Sequence, residues 1–182
     1  MRLENKTAII TGATGGIGEA TTRRFLDEGA NVALVGRSEE KLSNLISNLG
    51  NPDNAIYCIA DSKDEVAIKN SINTTHDKFG SVDIVMANAG TEGIVKPLTE
   101  FTVEEFNDVI DVNVVGVWLF MKHSMPIMQK QKAGSFIAVA STAGPGLIVC
   151  LSIGLSFGKA LARKIVGEGG CVFWLILQKL YQ

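Results

Sequence analysis

The first 140 residues alternate short apolar runs with stretches in which apolar residues recur every three or four positions. Turn-forming residues bound the runs, as in buried parallel strands, and the periodic stretches are typical of helices that bury one face. In the helix predicted over 64–79, Val66, Ile68 and Ile72 are the apolar contacts. The last predicted helix is long and runs over about 103–121 or beyond. The predicted strands lie at residues 8–10, 31–35, 55–59, 82–86 and 135–140.

Strands that alternate with helices at this spacing imply right-handed crossovers and a parallel sheet covered by helices on both faces. The predicted fold class is therefore α/β, a doubly wound parallel sheet of the Rossmann type in three layers (α/β/α), with the strand order 3-2-1-4-5. A sixth strand is open, because another apolar run follows at residues 171–177. No linker or internal repeat divides the chain, so we expect a single domain over residues 1–182.

A glycine-rich turn follows the first strand, with Thr11, Gly12, Gly16 and Gly18 spaced as Thr-Gly-x3-Gly-x-Gly. Gly12 allows the tight turn, Gly16 allows backbone to approach a pyrophosphate, and Gly18 allows the next helix to pack close to the sheet. That helix begins near Gly16 and points its free N–H groups and positive dipole end at the turn. A turn of this kind between a strand and a helix predicts a dinucleotide site.

The composition fits one globular domain, and the charge distribution argues against some classes of binding partner. The chain has 182 residues, 46% of them hydrophobic and 20% charged, and its formal net charge is −2. Acidic and basic residues are interspersed, which argues against a nucleic-acid or anionic-membrane surface. The N-terminus enters the first strand without an apolar signal region, so we expect a cytoplasmic protein. The uncharged stretch 136–158 predicts a buried strand and an apolar loop rather than a membrane span.

The cysteines and histidines do not form a metal-binding pattern. Cys58, Cys150 and Cys171 are widely spaced in apolar surroundings, which favours buried thiols over a disulfide or a metal site. His76 and His123 are isolated, and each fits a solvated or packed helix position better than a ligand position. We therefore expect no metal.

The glycine spacing, the segment Asn88-Ala-Gly90 and Asn113 together resemble the short-chain dehydrogenase/reductase family of the classical type. The resemblance extends from the N-terminus to about Gly144. It implies an NAD(P) site in which Asp61 hydrogen-bonds the adenine amino group and residues 88–90 lie beside the adenine. The cofactor-binding residues that it implies are Gly12, Thr14, Gly16, Ile17, Gly18, Arg37, Asp61, Asn88, Ala89 and Gly90.

The end of the second strand bears on the choice between NAD and NADP. In this fold an acidic side chain there hydrogen-bonds the ribose 2′-hydroxyl and favours NAD. Here the strand ends in Val35, Gly36 and Arg37, without a carboxylate, and the guanidinium suits a 2′-phosphate. NADP is therefore the predicted cofactor, with NAD open. The alternative is that Arg37 lies on the surface near Glu39 and Glu40 and meets no ligand.

The resemblance also implies a catalytic set of Ser, Tyr, Lys and Asn. Asn113, on the long helix, matches the Asn of a proton relay, and Ser141, at the end of the fifth strand, matches the Ser that orients the substrate carbonyl. An amide among valines is costly to bury without a partner, which also favours a role for Asn113. The two tyrosines, Tyr57 and Tyr181, do not precede a lysine by four residues. In one register Lys159 is the relay lysine with Leu in place of the Tyr; in the other, the Tyr/Lys segment is deleted and Lys159 is an ordinary helix residue before a sixth strand.

Together these features predict an NADP(H)-dependent oxidoreductase that acts on a small carbonyl or alcohol substrate and is impaired by the absent Tyr. The alternative is a catalytically inactive nucleotide-binding pseudoenzyme or a truncated product with a binding or scaffold role. From about residue 144 the chain departs from the family pattern, so we expect an altered and truncated C-terminal part. In the family the long helix packs against its copy in another subunit, and its many apolar residues over 103–121 predict a homo-oligomer.

Overall fold

A single six-stranded parallel sheet forms the centre of the computed structural model, which describes residues 1–141 and 171–177. The strand order is β3-β2-β1-β4-β5-β6. The predicted α/β class of the Rossmann type and the order of the first five strands are therefore confirmed, and the sixth strand is present. The strands are β1 (Thr7–Thr11), β2 (Asn31–Gly36), β3 (Ala55–Ile59), β4 (Ile84–Ala87), β5 (Ser135–Ser141) and β6 (Cys171–Leu177).

Helices cover both faces of this sheet. On one face α3 and α5 bury Ile68 and Phe120 against Ile9 and its neighbours, and on the other face Leu42 of α2 packs against Ile10. Ile9 and Ile10 are consecutive in β1, so they point to opposite faces and anchor the two halves of the core. The helices are α1 (Gly16–Asp27), α2 (Glu39–Asn48), α3 (Glu65–Phe79), α4 (Val103–Ile110) and α5 (Gly116–Gln131), with a π-helical turn (Asp111–Val115) between the last two.

Side-chain caps begin three of the helices. The Ser38 hydroxyl accepts the Lys41 N–H at the start of α2, and the Asp64 carboxylate accepts two N–H groups in the first turn of α3. At α4, Thr102 and Glu105 form a reciprocal capping box. Each cap pairs backbone donors that a helix leaves unsatisfied at its N-terminus, which explains why these helices begin where they do.

Two expectations about these elements were wrong in detail, and the long helix, expected over about 103–121 or beyond, is present with one interruption. Val66 is 68% exposed, because it lies two residues from Ile68 and so on the opposite side of α3. The fourth strand begins at Ile84 rather than at residue 82. The long helix continues to Gln131, and the π-helical turn interrupts it.

Candidate functional site

The glycine turn joins β1 to α1 at the carboxyl end of the sheet. Gly12 has a φ of +60°, and a Cβ there would lie 2.9 Å from the Ala89 Cα. A Cβ at Gly18 would lie 2.3 Å from the Gly12 carbonyl oxygen, so α1 begins in direct contact with the turn. A Cβ at Gly16, by contrast, would meet no described atom within 4 Å. Since no described side chain caps α1, its first N–H groups are open to an anionic ligand.

Thr11 and Asn88 fasten the end of β4 to this turn. The Thr11 hydroxyl accepts the N–H groups of Asn88 and Ala89 at 2.9 and 2.8 Å. The Asn88 side-chain amide in turn donates to the carbonyls of Thr11 and Gly12 at 3.0 and 3.3 Å. These four bonds hold the segment 88–90 against the glycine turn.

A cavity of about 510 Å³ opens over the carboxyl ends of the first four strands. Ligands bind at this place in open parallel sheets, and the volume is in the range of small-molecule and cofactor sites. Both α4 and α5 contribute to it, as do the ends of all four strands. The lining residues are Thr11, Gly12, residues 14–17, 35–37, 60–62 and 88–91, Asp108, Val112 and Phe120.

Two predicted cofactor residues lie side by side where β2 and β3 end. The Arg37 Nη1 lies 4.0 Å from the Asp61 Oδ2, and both residues line the cavity. The Arg37 side chain is 74% exposed, so its guanidinium remains accessible to a ligand. Glu39 instead accepts the Tyr57 hydroxyl at 3.5 Å. The acidic neighbour of Arg37 is therefore Asp61.

Asn113 lies in the π-helical turn and is tied to the segment that follows β4. Its Oδ1 accepts the Thr91 N–H at 2.9 Å, and its Nδ2 donates to the Thr91 carbonyl at 2.8 Å. The amide thus pairs with the backbone of Thr91 as another peptide group would. These hydrogen bonds offset the expected cost of placing an amide among valines. Gly90 is close enough that a Cβ there would lie 3.3 Å from the Asn113 Oδ1. Single π-helical turns of this kind are frequent at functional sites.

Two other catalytic residues were predicted. Ser141 is the last residue of β5 and so lies at the carboxyl end of the sheet, as the glycine turn does. Lys159 lies outside the described residues. The strand expected in the register that makes Lys159 an ordinary helix residue is present as β6, and it pairs in parallel with β5 from Ser135 with Cys171 to Ser141 with Leu177.

Comparison with known proteins gives the same assignment as the fold. The family model described as "short chain dehydrogenase" matches residues 6–153. The chain belongs to the short-chain dehydrogenase family. It is 37% identical to zerumbone synthase of Zingiber zerumbet over 142 residues, which is 78% of this chain and 53% of that protein. It is 35% identical to (+)-borneol dehydrogenase 2 of Salvia officinalis over 144 residues, 79% of this chain and 51% of that protein.

A solved short-chain dehydrogenase from Bacillus anthracis str. 'Ames Ancestor' shares the fold, with a TM-score of 0.84 and 26% sequence identity. That comparison covers 92% of this chain and 73% of the solved chain. The chain spans about half the length of the two plant relatives that it matches. The family and its fold are thereby established.

Further features of the chain concern metals, membranes and thiols. Within residues 1–141 and 171–177, no group of three His, Cys, Asp or Glu side chains comes together in a way that could hold a metal ion. No helix in the described part of the chain combines the length and hydropathy needed to cross a membrane. Cys58 is a buried free thiol, as predicted, and burial raises its pKa.

Several residues that line the cavity were not singled out from the sequence. Ser62, Thr91 and Phe120 each lie within a few residues of a predicted element, but no motif marks them. Asp108 and Val112 lie four positions apart on the helix, and this spacing on one face was the available signal.

Proposed function

We propose that this chain is an NADP(H)-dependent oxidoreductase for a small carbonyl or alcohol substrate, with an impaired proton-transfer step. The observation that carries the proposal is the cavity between the open N-terminus of α1 and the exposed Arg37. A pyrophosphate fits a helix N-terminus that has no side-chain cap, and the free space at Gly16 leaves room for it. The nucleotide would supply the hydride, and the chain's own residues would bind and orient the reactants.

NADP is favoured over NAD by the charge at the end of β2. Arg37 presents several N–H donors beside the cavity, whereas no carboxylate follows β2 directly. We expect Arg37→Ser to weaken NADPH binding about tenfold, because hydrogen bonds to charged groups contribute about 1.5–3 kcal/mol and exposure reduces this. NADH binding should change little. A matched control is Arg24→Ser, which removes another exposed arginine, paired with Glu28 and outside the cavity.

For the chemical step, the proposal assigns Ser141 to orient the substrate carbonyl, and Asn113 and Lys159 to a proton relay. The described geometry supports Asn113 most, since its amide holds Thr91 at the cavity wall. In the register that makes Lys159 the relay lysine, Leu155 stands four residues before it in place of the Tyr, so the expected general acid is missing there. Losing such a group costs about 10² to 10⁴ in rate, which leaves slow turnover with water as the proton donor.

A second candidate function is a nucleotide-binding protein without turnover, and the absent tyrosine favours it. An assay of NADPH oxidation with a panel of aldehydes and ketones separates the two functions. Slow oxidation that Ser141→Ala abolishes supports the enzyme. Binding of NADPH without any oxidation supports the pseudoenzyme and overturns the enzyme.

We also propose that the chain is cytoplasmic and associates with a second copy through the helix over 103–121. Phe106 of α4 and Trp118 of α5 are 46% and 38% exposed, and exposed aromatic side chains are typical of an interaction surface. A buried free thiol fits a reducing compartment. Light scattering after size-exclusion chromatography measures the association, and a monomer at high concentration would contradict it.

A further inference from the structure

The far end of the cavity, beyond β2, is enclosed by two walls that are distant in sequence. One wall is the loop between β3 and α3, from which Asp61 and Ser62 line the cavity. The other is the helical segment that contributes Asp108 and Val112. In this fold the pyrophosphate lies at the glycine turn after β1 and the adenosine ribose at the end of β2. The walls at the end of β3 would therefore face the base of a bound nucleotide.

An ion pair joins these two walls at the edge of the cavity. The Lys63 Nζ lies 2.7 Å from the Asp108 Oδ1, and the Lys63 N–H donates to the Asp61 Oδ1 at 2.9 Å. The hydrogen bond and the charge of Asp108 raise the pKa of Lys63, so the Lys63 ammonium stays charged at neutral pH. Ser62 also packs closely on Gly116, where a Cβ would lie 2.8 Å from the serine Cβ and carbonyl oxygen.

Lys63 therefore links Asp61, on one wall of the cavity, to Asp108, on the other. Its backbone orients the Asp61 carboxylate, and its side chain fixes the loop to α4 through Asp108. We propose that the Lys63–Asp108 ion pair is a positioning device that holds the loop carrying Asp61 against α4 at the base-binding end of the cavity. This proposal rests on the nucleotide binding proposed above.

A positioning role for the ion pair and simple electrostatic repulsion predict opposite effects of Asp108→Asn on nucleotide affinity. Asp108 is an anionic residue beside a site for an anionic ligand, so simple Coulomb repulsion predicts that Asp108→Asn strengthens nucleotide binding. Positioning predicts that the same change weakens it, because the loop that carries Asp61 is no longer tied to α4. Exposed ion pairs change equilibrium constants by about two- to fivefold, which calorimetry resolves.

The Lys122–Glu65 ion pair is a matched control. It has a nitrogen–oxygen distance of 2.6 Å, and its side chains are 43% and 46% exposed, against 42% and 53% for Lys63 and Asp108. It likewise joins the N-terminal end of α3 to the long helical segment, but neither residue lines the cavity. Glu65→Gln removes this ion pair, together with the contact between the Glu65 Oε1 and the His123 Nε2 at 2.8 Å, without touching the proposed device.

The test is calorimetric titration of the full chain with 2′,5′-ADP, which carries the adenine half of NADP. We expect Asp108→Asn and Lys63→Met each to weaken binding about two- to fivefold, the double variant to bind no more weakly than the weaker single variant, and Glu65→Gln to bind as the unsubstituted chain does. Non-additivity in ligand affinity, together with an unaffected control, is a result that a general loss of stability does not produce.

The result that would contradict the proposed nucleotide site differs from the results that would contradict the ion-pair inference alone. If the unsubstituted chain binds neither 2′,5′-ADP nor 5′-ADP, the proposed nucleotide site is wrong and this inference falls with it; if it binds 5′-ADP alone, the variants are compared on 5′-ADP. If the unsubstituted chain binds but Asp108→Asn binds equally well or more tightly, the inference alone is overturned. Additive losses in the double variant would show that the two residues act separately, which also overturns the ion pair as the device.

Discussion

The contact between Gly18 and the glycine turn can be tested by adding one methyl group. A Cβ at Gly18 would lie 2.3 Å from the Gly12 carbonyl oxygen and 2.7 Å from the Ala13 Cα, and both are backbone atoms that no side-chain rotation can move. The substitution Gly18→Ala therefore forces α1 away from the turn by a sizeable fraction of an ångström. The first turn of α1 and the glycine turn separate, and the N–H groups directed at the cavity move with them.

The magnitude follows from two opposing effects. Overpacking costs typically about 1–3 kcal/mol, and this backbone contact belongs at the upper end. Alanine gains back about 1 kcal/mol over glycine in helix propensity, which leaves a net loss of about 2 kcal/mol. For a chain of this size that corresponds to a fall in Tm of about 4–8 °C.

Gly16→Ala is the matched comparison, because it adds the same methyl two residues earlier where no described atom lies within 4 Å. We expect its Tm to equal or exceed that of the unsubstituted chain, and its NADPH affinity to fall, since Gly16 lines the cavity. Thermal melting followed by circular dichroism measures both variants. A Gly18→Ala chain that melts at or above the temperature of the unsubstituted chain would refute the close packing on which this reasoning depends.

Two further substitutions test the ties between strands. Thr11→Val leaves the N–H groups of Asn88 and Ala89 without their acceptor, at about 0.5–1.5 kcal/mol for each of these part-buried hydrogen bonds, whereas Thr11→Ser keeps the hydroxyl; equal urea midpoints for the two variants would contradict this tie. For Asp83, burial alone would raise the pKa, but hydrogen bonds from the Thr7 N–H and other donors outweigh it and lower the pKa. The stability it contributes is complete above the ordinary carboxyl pKa of about 3.9 and is lost as pH falls through the lower folded-state pKa. Urea unfolding over acidic pH should show this loss in the unsubstituted chain and less of it in Asp83→Asn; identical pH profiles would rule the effect out.

The sequence was sufficient to predict the sheet because each strand has a local signal. Apolar runs bounded by turn residues mark every strand, and Ser38 is of a residue type that commonly caps a helix, as it does at α2. Val66 was wrongly predicted to be a buried contact because it is apolar. The geometry of the helix decides which side faces the sheet, and Val66 lies on the other side. The π-helical turn at residues 111–115 has no comparable local pattern in the sequence.

The site was predictable only in part, because its geometry depends on pairs of residues far apart in the chain. Asn113 was identified as a site residue, but its two hydrogen bonds to Thr91 join residues 22 positions apart. The Lys63–Asp108 ion pair joins residues 45 positions apart. Such contacts arise when the folded elements meet, and no spacing in the sequence encodes them without the sheet order.

Calorimetric titration of the full chain with NADPH and with NADH tests most directly whether the glycine-turn cavity binds a nucleotide and prefers NADPH. We expect one NADPH to bind per chain, with higher affinity than NADH, and Gly16→Ala to weaken both because the pyrophosphate is common to them. Binding of NADH in preference to NADPH would contradict the assignment of Arg37 to a 2′-phosphate. Absence of binding by either nucleotide would contradict the assignment of the glycine-turn cavity as a cofactor site.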